Sequence, residues 1–516
     1  MPRSIKTTSL RHFALAALVL LVFSAILSGT AFSAAPAEPG VKLTILHVND
    51  THGHLNPFVD KAADAKNPVG GVAYLALLVT RERDANRGGV VLLSAGDMFQ
   101  GTPISNLFHG RPVIEVMNFL HYDAMALGNH EFDWGQDVLR EIISSAHFPV
   151  LCANILDGNG KPFDGVRPWI IIERKGVKIG IIGLTTREVQ YTTKPGNLTG
   201  LHVEAPAQTA APLVKELRAK GTELVVVLSH LGLDEDRRLA REVHGIDVIV
   251  GGHSHTVVTN PVNEGGTIIV QAGCYGEYLG VLNLMYDPVR KKIASYTGKN
   301  ELRLVTANRK VRFDPKVVKI IDPYNRKVRE QFSKTVGTAA LDLTRNPRGE
   351  SNLGDLIADA MRETSGARIA IENSGGIRAD LFKGPITLEQ IYTVLPFDNV
   401  VVTMDLTGDQ ILKLLERGVR SGKGLQISGL KVEYDLSKPA GSKVASASVD
   451  GKPLAPASIY RVATNDFLAA GGDLYTEFKE GPNVVFGSEL RDVVTDYITR
   501  HSPISIKAEG RLVYRK

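Results

Sequence analysis

Apolar runs rich in β-branched residues alternate with helix-like segments through residues 41–308, and this alternation constrains the fold more than any other feature. The predicted strands are Val41–Val48, Val90–Ser94, Ala124–Leu127, Val150–Ala153, Trp169–Ile172, Ile179–Leu184, Leu224–Ser229, Val248–Val250 and Thr267–Gln271. The predicted helices include Val72–Arg83, Arg111–Leu120, Gln136–Ala146, Pro206–Ala219 and Asp234–Val243. Such alternation predicts an α/β protein with buried sheets.

Five of these strands end in polar clusters that carry Asp, Asn or His. The residues concerned are Asp50 and His52, then Asp97, Asn129, His230, and finally His253 and His255. Each cluster alone fits a solvated loop with incidental polar residues. The ends of neighbouring strands meet at one edge in open α/β sheets, and sites form there. Five such endings together therefore favour one shared site over five unrelated loops.

The residue types in these clusters are suited to divalent metal ions. Asp50 and His52 are two residues apart at a strand end, so their side chains point the same way. Carboxylate, amide and imidazole groups without thiolate suit Zn, Mn, Co, Fe or Mg. Two ions about 3.5–4 Å apart, joined by a shared carboxylate, can clamp a phosphate ester and activate water. The sequence therefore predicts two divalent metal ions of undetermined identity.

The motifs resemble those of the calcineurin-like metallophosphoesterases, and LHVNDTHGHL and GNHEFDWG are similar to the forms of the 5′-nucleotidase family. The resemblance covers residues 42–512. It implies a four-layer α/β/β/α metallophosphoesterase sandwich followed by a second α/β substrate-binding domain. It also implies one ion on Asp50, His52 and His255, another on Asn129, His230 and His253, and Asp97 as the bridge. Several relatives carry Gln or Asn in place of His255, so this position bears on metal preference.

His130 and Asp133 form a separate pair, three residues apart and hence on one face of a helical turn. By themselves they also fit an acid at a helix N-terminus beside a core histidine. The resemblance implies a catalytic dyad. His130 would stabilise the transferring phosphoryl group or assist the leaving oxygen, and Asp133 would orient its ring. Glu131 is expected beside the metal ligands rather than among them, and His54 matches no ligand position.

Residues 309–335 are charged with apolar residues at helical spacing, and we predict a helical linker there. Pro323 should interrupt it, leaving one or two short helices. Residues 336–516 then begin a second α/β unit, after the metal-binding unit at 41–308.

Three stretches of this second unit bear on substrate. Arg378 follows a glycine-rich turn and offers a planar fork to phosphate. Phe397 and Phe467 lie in polar loops and could sandwich a flat base, although each alone also fits a core position. The resemblance implies that both stack on the nucleobase, that Asn399 contacts the base and Asp473 the ribose, and that Asn373 and Arg378 lie on the phosphate side. Of two nearby arginines, Arg345 and Arg348, we take Arg348 as the phosphate contact, although neither is cleanly in the family's register.

The N-terminus predicts export. Arg3, Lys6 and Arg11 precede an apolar stretch and then small residues, which is typical of a signal peptide, here residues 1–35. An uncleaved membrane anchor is the alternative to a periplasmic or secreted protein. These three residues supply three of the five net positive charges, so the rest of the chain gives no argument for nucleic acid or an anionic membrane. Cys152 and Cys274 are expected as free thiols or as a single bridge.

The resemblance implies an exported two-metal hydrolase that converts a 5′-nucleotide to nucleoside and phosphate, with a metal-activated hydroxide attacking phosphorus. The expected partner is a small-molecule nucleotide, and the oligomeric state stays open. Three alternatives keep the same scaffold: a 2′,3′-cyclic-nucleotide phosphodiesterase/3′-nucleotidase, a UDP-sugar hydrolase, and a thiosulfohydrolase, which usually departs from the THGHL form found here. A non-catalytic nucleotide-binding protein is a more remote alternative.

Overall fold

The computed structural model describes residues 40–515, apart from residues 195, 298, 300, 308–311 and 422–423. The predicted signal peptide, residues 1–35, lies outside the described residues. Within them, no helix is both long enough and apolar enough to span a membrane. The described residues form two α/β domains, as the sequence predicts.

Two sheets form the centre of the N-terminal domain. The first has the order Lys292–Tyr296, Tyr278–Asp287, Val41–Val48, Val90–Ser94, Ala124–Ala126 and Val150–Leu151, with Leu302–Leu304 also paired to Tyr278–Asp287. The second has the order Val262–Glu264, Thr267–Val270, Val248–Gly251, Leu224–His230, Val177–Thr185 and Trp169–Arg174. The strands that precede the polar clusters pair in parallel. Their carboxyl ends therefore lie at a common edge of each sheet.

The four-layer α/β/β/α arrangement is confirmed by three hydrophobic clusters. One lies between the sheets and includes Ile45 and Val226. A second packs helices on the outer face of the first sheet, and Leu46 and Val79 belong to it. The third packs helices on the second sheet through residues such as Val214. Within Val41–Val48, Ile45 and Leu46 face opposite layers because consecutive strand residues alternate sides.

The helices of this domain match the predicted segments closely. They are Val72–Ala85, Pro103–Asn106, Arg111–Phe119, Gly135–Ser145, Val189–Thr192, Pro206–Ala219 and Leu233–Glu242, with a 3₁₀ turn at His130–Phe132. Two short strand pairs, Pro57–Phe58 with Val69–Gly70 and Ile155–Asp157 with Leu201–Val203, border the sheets.

The linker prediction is wrong in one respect. A single helix of 18 residues, Pro315–Phe332, continues through Pro323. The proline removes one backbone donor from the helix. However, Val317, Ile321 and Val328 are buried in the outer cluster of the first sheet, and this packing holds the helix together across the proline. The domain boundaries at 308 and 336 stay predictions.

The C-terminal domain is built on a five-stranded sheet, with the order Leu425–Ser428, Ile369–Asn373, Ile459–Asn465, Val400–Thr407 and Val485–Glu489. One face packs against Asn352–Ser365, Leu388–Val394 and Leu490–His501. The other packs against Gly408–Ser421 and a four-stranded sheet of Lys452–Pro453, Val444–Val449, Lys431–Asp435 and Leu512–Arg515. The remaining elements are the pair Thr335–Ala339 with Gly384–Thr387, the helix Asp466–Ala469, and 3₁₀ turns at Ser374–Gly376, Gly472–Leu474 and Thr476–Glu480.

Both cysteines are free thiols. Cys152 is buried in the core of the N-terminal domain and Cys274 is partly buried near the metal-binding loops. Of the two expectations for these residues, the structure bears out the free thiols.

Candidate active site

The first predicted ligand group comes together at the end of the first sheet. The ligand atoms of Asp50, His52 and His255 lie within 4.8 Å of one another. His255 Nε2 is 3.3 Å from Asp50 Oδ1 and 3.2 Å from His52 Nε2. His52 donates its Nδ1 hydrogen to the carbonyl of Gln100 at 2.8 Å, which leaves the Nε2 lone pair facing the group. Asn49 donates to Asp50 Oδ2 at 2.7 Å and so holds the carboxylate in place.

The second ligand group lies beside the first. The ligand atoms of Asp97, His230 and His253 also lie within 4.8 Å of one another, and Asn129 Oδ1 is 3.1 Å from His253 Nδ1. Asp97 Oδ2 is 3.0 Å from His230 Nε2 and 3.9 Å from His52 Nε2. Asp97 is therefore the carboxylate placed between the two groups, where the sequence expects a bridge.

The ligand loops adopt an unusual backbone conformation. Left-handed φ angles between 48° and 72° occur at Asp50, His52, Asp97, His253 and His255. Such angles cost roughly 1–3 kcal/mol at non-glycine residues and persist where surrounding contacts impose them. The contacts are present here, since the His253 amide donates to Asp50 Oδ2 at 2.9 Å and the His130 amide to Asp97 Oδ1 at 2.9 Å. Each ligand loop is thus held by a neighbouring one.

Two glycines allow these loops to approach one another. A Cβ on Gly128 would lie 2.1 Å from Asp97 Oδ1, and a Cβ on Gly252 would lie 2.9 Å from His230 Nδ1. Neither position has room for a side chain. The glycines in the GNHE and GGHSH motifs are therefore needed for the ligand loops to pack against one another.

Electrostatics at this site favour a cation. Burial opposes charge on Asp97, but His230 and its neighbours outweigh it and hold the pKa of Asp97 well below its usual value. Burial likewise lowers the pKa of His230, but Asp97 and Asp50 raise it to about 10 overall. Burial, helped by the positive charge of Arg378, lowers the pKa of His52 well below its usual value. Ionised Asp97 thus lies beside neutral His52, which is the ligand form that divalent ions need, whereas His230 must release its proton when an ion binds.

The donor set fits two divalent ions. His230 Nε2 is fully buried and makes no hydrogen bond, although Asp97 lies beside it. A buried ring nitrogen directed at a carboxylate in this way is explained by a ligand that takes the place of its proton. Its Nδ1 hydrogen goes to the carbonyl of Ala95 at 2.7 Å. Oxygen and imidazole ligands without thiolate restrict the ion to the class that the sequence predicts.

His130 and Asp133 are also adjacent. His130 donates from Nδ1 to Asp133 Oδ2 at 2.6 Å, and Asp133 Oδ1 accepts from Thr193 Oγ1 at 2.8 Å. Burial lowers the pKa of His130, but the carboxylates of Asp133 and Asp97 more than compensate and raise it overall. The Nε2 edge of His130 is left for a group in the cavity.

Glu131 supports the ligand loops from behind. It is buried, and its carboxylate accepts from the amides of Asp97, Met98 and Gly128 at 2.6–2.8 Å. It is not in either ligand group of the described residues. His54 is likewise outside them, and its ring lies 4.3 Å from that of Tyr275.

A cavity of about 700 Å³ joins the ligand groups to the C-terminal domain. All but one of the predicted substrate residues line this cavity. Those that do are Asn373, Arg378, Phe397, Asn399, Phe467 and Asp473. Arg378 Nη2 reaches across to within 3.1 Å of His52 Nε2. Asn373 donates to Asp473 Oδ2 at 3.1 Å, which links the turn before Arg378 to the loop that carries Asp473.

The exception is Arg348. Its side chain is exposed and does not line the cavity, whereas Arg345 does. The Arg348 amide donates to Asn346 Oδ1 at 3.1 Å, in a tight turn that follows Arg345. Arg345 is anchored by Asp380, whose Oδ1 is 3.2 Å from its Nε. Of the two arginines, the one that faces the cavity is therefore Arg345, whereas the sequence analysis chose Arg348.

Three residues of the site were missed by the sequence analysis. Tyr275 lines the cavity, and its amide donates to the Asp50 carbonyl at 2.7 Å. Glu188 Oε2 lies 3.3 Å from His253 Nε2. Lys194 lines the cavity and pairs across the domains with Asp466 at 3.1 Å. A signal existed for Glu188, because it follows the strand Val177–Thr185 in the same way as the other polar clusters follow theirs.

Two adjacent divalent-ion ligand groups at the strand ends of an α/β/β/α sandwich define a metallophosphoesterase. The comparison with family models agrees, since a calcineurin-like phosphoesterase model matches residues 43–257. A model for the 5′-nucleotidase C-terminal domain matches residues 331–480.

Known relatives narrow the class. The chain is 33% identical to the snake venom 5′-nucleotidase of Crotalus adamanteus, over 96% of this chain and 92% of that protein. The structure matches the crystal structure of a 5′-nucleotidase precursor from Thermus thermophilus with a TM-score of 0.85 and 37% identity, over 92% of this chain and 99% of that one. The chain is also 32% identical, over 92% of its own length, to a trifunctional nucleotide phosphoesterase of Bacillus subtilis, but the match spans only 35% of that protein. The chain belongs to the 5′-nucleotidase family.

Proposed function

We propose that the protein hydrolyses 5′-nucleotides to a nucleoside and phosphate. The observation that carries the proposal is one cavity lined by members of both ligand groups together with Phe397 and Phe467. A nucleotide has the same arrangement, with a charged phosphate joined through a ribose to a flat base. The proposed location is outside the cytoplasm, after export by residues 1–35.

The proposed ion holders are Asp50, His52 and His255 for one ion, and Asn129, His230 and His253 for the other, with Asp97 shared. Two divalent ions bound there would lower the pKa of a water molecule and neutralise charge on the phosphate oxygens. The identity of the ions is open among Zn, Mn, Co, Fe and Mg. His52 and His230 present Nε2 to the ions because backbone carbonyls fix their Nδ1 hydrogens.

We assign His130 to the transferring phosphoryl group or the leaving oxygen. Its Nδ1 hydrogen is engaged by Asp133, so Nε2 is the atom available to the substrate. A protonated ring can donate a hydrogen bond to the negative charge that develops there, and Asp133 stabilises that form. The Thr193 hydroxyl fixes the second oxygen of Asp133, which keeps the pair aligned.

The C-terminal residues would select and place the nucleotide. Phe397 and Phe467 would stack on the base, with Asn399 at its edge and Asp473 at the ribose. Arg378 and Arg345 would bind phosphate, and Asn373, at the start of the turn that leads to Arg378, would lie on the phosphate side. The Arg378 guanidinium carbon is 6.0 Å from the Phe397 ring centroid, while its Nη2 reaches His52. One side chain therefore spans the distance from base to ions.

The test incubates the protein with AMP, UMP, ATP, a UDP-sugar or 2′,3′-cyclic AMP, with Mn²⁺, Zn²⁺, Co²⁺ and Mg²⁺ each supplied, and measures both released phosphate and, by chromatography, the nucleotide and nucleoside products. We expect release from 5′-monophosphates with at least one ion. Asp97→Asn should lower kcat/KM by more than about 10³-fold, since loss of even one transition-state donor costs about 10²–10³-fold. Asp137→Asn is the matched control, because that side chain is 98% exposed on the same domain.

Two results would contradict the proposal. One is the absence of release from every substrate with every ion. The other is an Asp97→Asn variant as active as the Asp137→Asn control. Faster hydrolysis of 2′,3′-cyclic AMP to a monophosphate, or of the UDP-sugar to UMP and a sugar phosphate, than of AMP to adenosine would replace the proposed substrate with one of these, as the similarity to a trifunctional phosphoesterase allows.

A further inference from the structure

The ligand histidines differ in what holds their second ring nitrogen. His52 and His230 each donate from Nδ1 to a backbone carbonyl, Gln100 at 2.8 Å and Ala95 at 2.7 Å. His253 is turned the other way. Its Nδ1 lies 3.1 Å from Asn129 Oδ1, among the ligand atoms, and its Nε2 lies 3.3 Å from Glu188 Oε2. The partner of His253 is therefore an ionisable side chain and not the neutral backbone.

A carboxylate in this position has two physical effects. It accepts the Nε2 hydrogen and so leaves the lone pair on Nδ1, directed at the ligand group. Its negative charge also makes the imidazole a stronger donor to a cation. A backbone carbonyl supplies the first effect fully and the second only weakly. Glu188 is the feature by which His253 is distinguished from His52 and His230.

Backbone contacts fix the location of Glu188. It follows the strand Val177–Thr185 and precedes the helix Val189–Thr192. Its amide donates to Thr186 Oγ1 at 3.1 Å, and its carbonyl accepts from the Thr192 amide at 2.9 Å. Neither bond involves the carboxylate. The side chain is 39% exposed, so its replacement leaves the hydrophobic core intact.

We propose that Glu188 is a positioning residue that sets the affinity of the Asn129, His230 and His253 group for its ion. It acts through the Nε2 hydrogen of His253 and leaves the Asp50, His52 and His255 group unaffected. The inference rests on the proposed two-ion function. Outer partners of ligand histidines typically contribute about 10–100-fold to metal affinity.

The experiment titrates metal-free full-length protein with Mn²⁺ by calorimetry, and no nucleotide is present. Wild type should bind two ions. Glu188→Gln keeps an oxygen acceptor but removes the charge, and Glu188→Ala removes both. Each should weaken one of the two binding constants by about 10–100-fold and leave the other within about twofold. Electron paramagnetic resonance at limiting Mn²⁺ should then show isolated ions in the variants where wild type shows coupled pairs.

The chain offers a matched control in Glu204. Its Oε1 lies 3.6 Å from His202 Nε2, which makes a similar carboxylate–histidine pair, and the Glu204 side chain is 46% exposed. Neither residue belongs to the two ligand groups. Glu204→Gln should bind two ions like wild type. Two unchanged constants in both Glu188 variants would overturn the inference, and so would an equal weakening of both constants. Wild type that binds fewer than two ions would overturn the two-ion function itself, which separates the two failures.

Discussion

Arg378 provides the sharpest test of how the two domains cooperate. It belongs to the C-terminal domain, yet its Nη2 lies 3.1 Å from His52 Nε2 in the N-terminal domain. A guanidinium there can make two parallel charge-assisted hydrogen bonds to a phosphate. Each such bond contributes about 1.5–3 kcal/mol, so Arg378→Ala should lose about 3–6 kcal/mol of transition-state stabilisation. That loss corresponds to a decrease of about 10²–10⁴-fold in kcat/KM.

The lysine variant separates charge from shape. Arg378→Lys keeps a positive charge but offers a point donor instead of the planar fork. Losing one of two bonds should decrease kcat/KM by about 10–10²-fold. The assay is phosphate release from AMP at saturating Mn²⁺, with Mn²⁺ binding measured separately to show that the ligand groups are intact.

Arg348→Ala is the control, since this exposed arginine lies outside the cavity. It should keep kcat/KM within about twofold of wild type, because exposed substitutions away from a site have small effects. The reasoning would be refuted by an Arg378→Ala variant within about fivefold of wild type. It would equally be refuted if Arg348→Ala lost as much activity as Arg378→Ala.

Two further predictions concern the ion pair between the domains and a buried carboxyl group. Lys194 and Asp466 pair at 3.1 Å, but Lys194 is 53% exposed, so solvent weakens the pair. A double-mutant cycle in kcat/KM with Lys194→Ala and Asp466→Asn should therefore give a coupling energy of only about 0.2–1 kcal/mol. High salt should abolish that coupling energy. A coupling energy of zero at low salt, or one that salt does not change, would contradict the prediction. Burial raises the pKa of Glu372 to about 8. Above about pH 4.5 the folded protein therefore holds a proton that the unfolded chain has released. The free energy of unfolding should fall as the pH rises toward 8, by at most about 1.4 kcal/mol per pH unit. Glu372→Gln keeps an acceptor for Asn465 and does not titrate, so its melting temperature should fall less than that of wild type between about pH 5 and 8. If the melting temperatures of the variant and wild type fell equally with pH, the raised pKa of Glu372 would be refuted.

The fold could be predicted well where short-range patterns decide it. Val41–Val48 and Val90–Ser94 have the predicted bounds because their apolar runs are bounded by polar residues. The helix Pro206–Ala219 is also as predicted, with proline at its first position, where no hydrogen bond is lost. These elements depend on hydrophobic periodicity and terminal residues, and both are visible in the sequence.

The parts that could not be predicted depend on distant contacts. Arg345 and Arg348 are equally placed in the sequence, and only the turn at Asn346 decides which one faces the cavity. Pro323 by itself predicts a break in the linker helix, but burial of Val317 and Ile321 against another domain's helices outweighs the lost hydrogen bond. In both cases the deciding interaction joins segments whose proximity the sequence does not reveal.

The division of the site between two domains has a consequence for its chemistry. The ligand loops hold one another within the N-terminal domain, as the His253 amide on Asp50 and the His130 amide on Asp97 show. We therefore expect that half to bind ions without the other. The residues proposed to contact base and phosphate come from the C-terminal domain, and Arg378 reaches the ligands only when the domains are as close as in this structure. We therefore expect ion binding to be separable from nucleotide selection, and turnover to require both domains in contact.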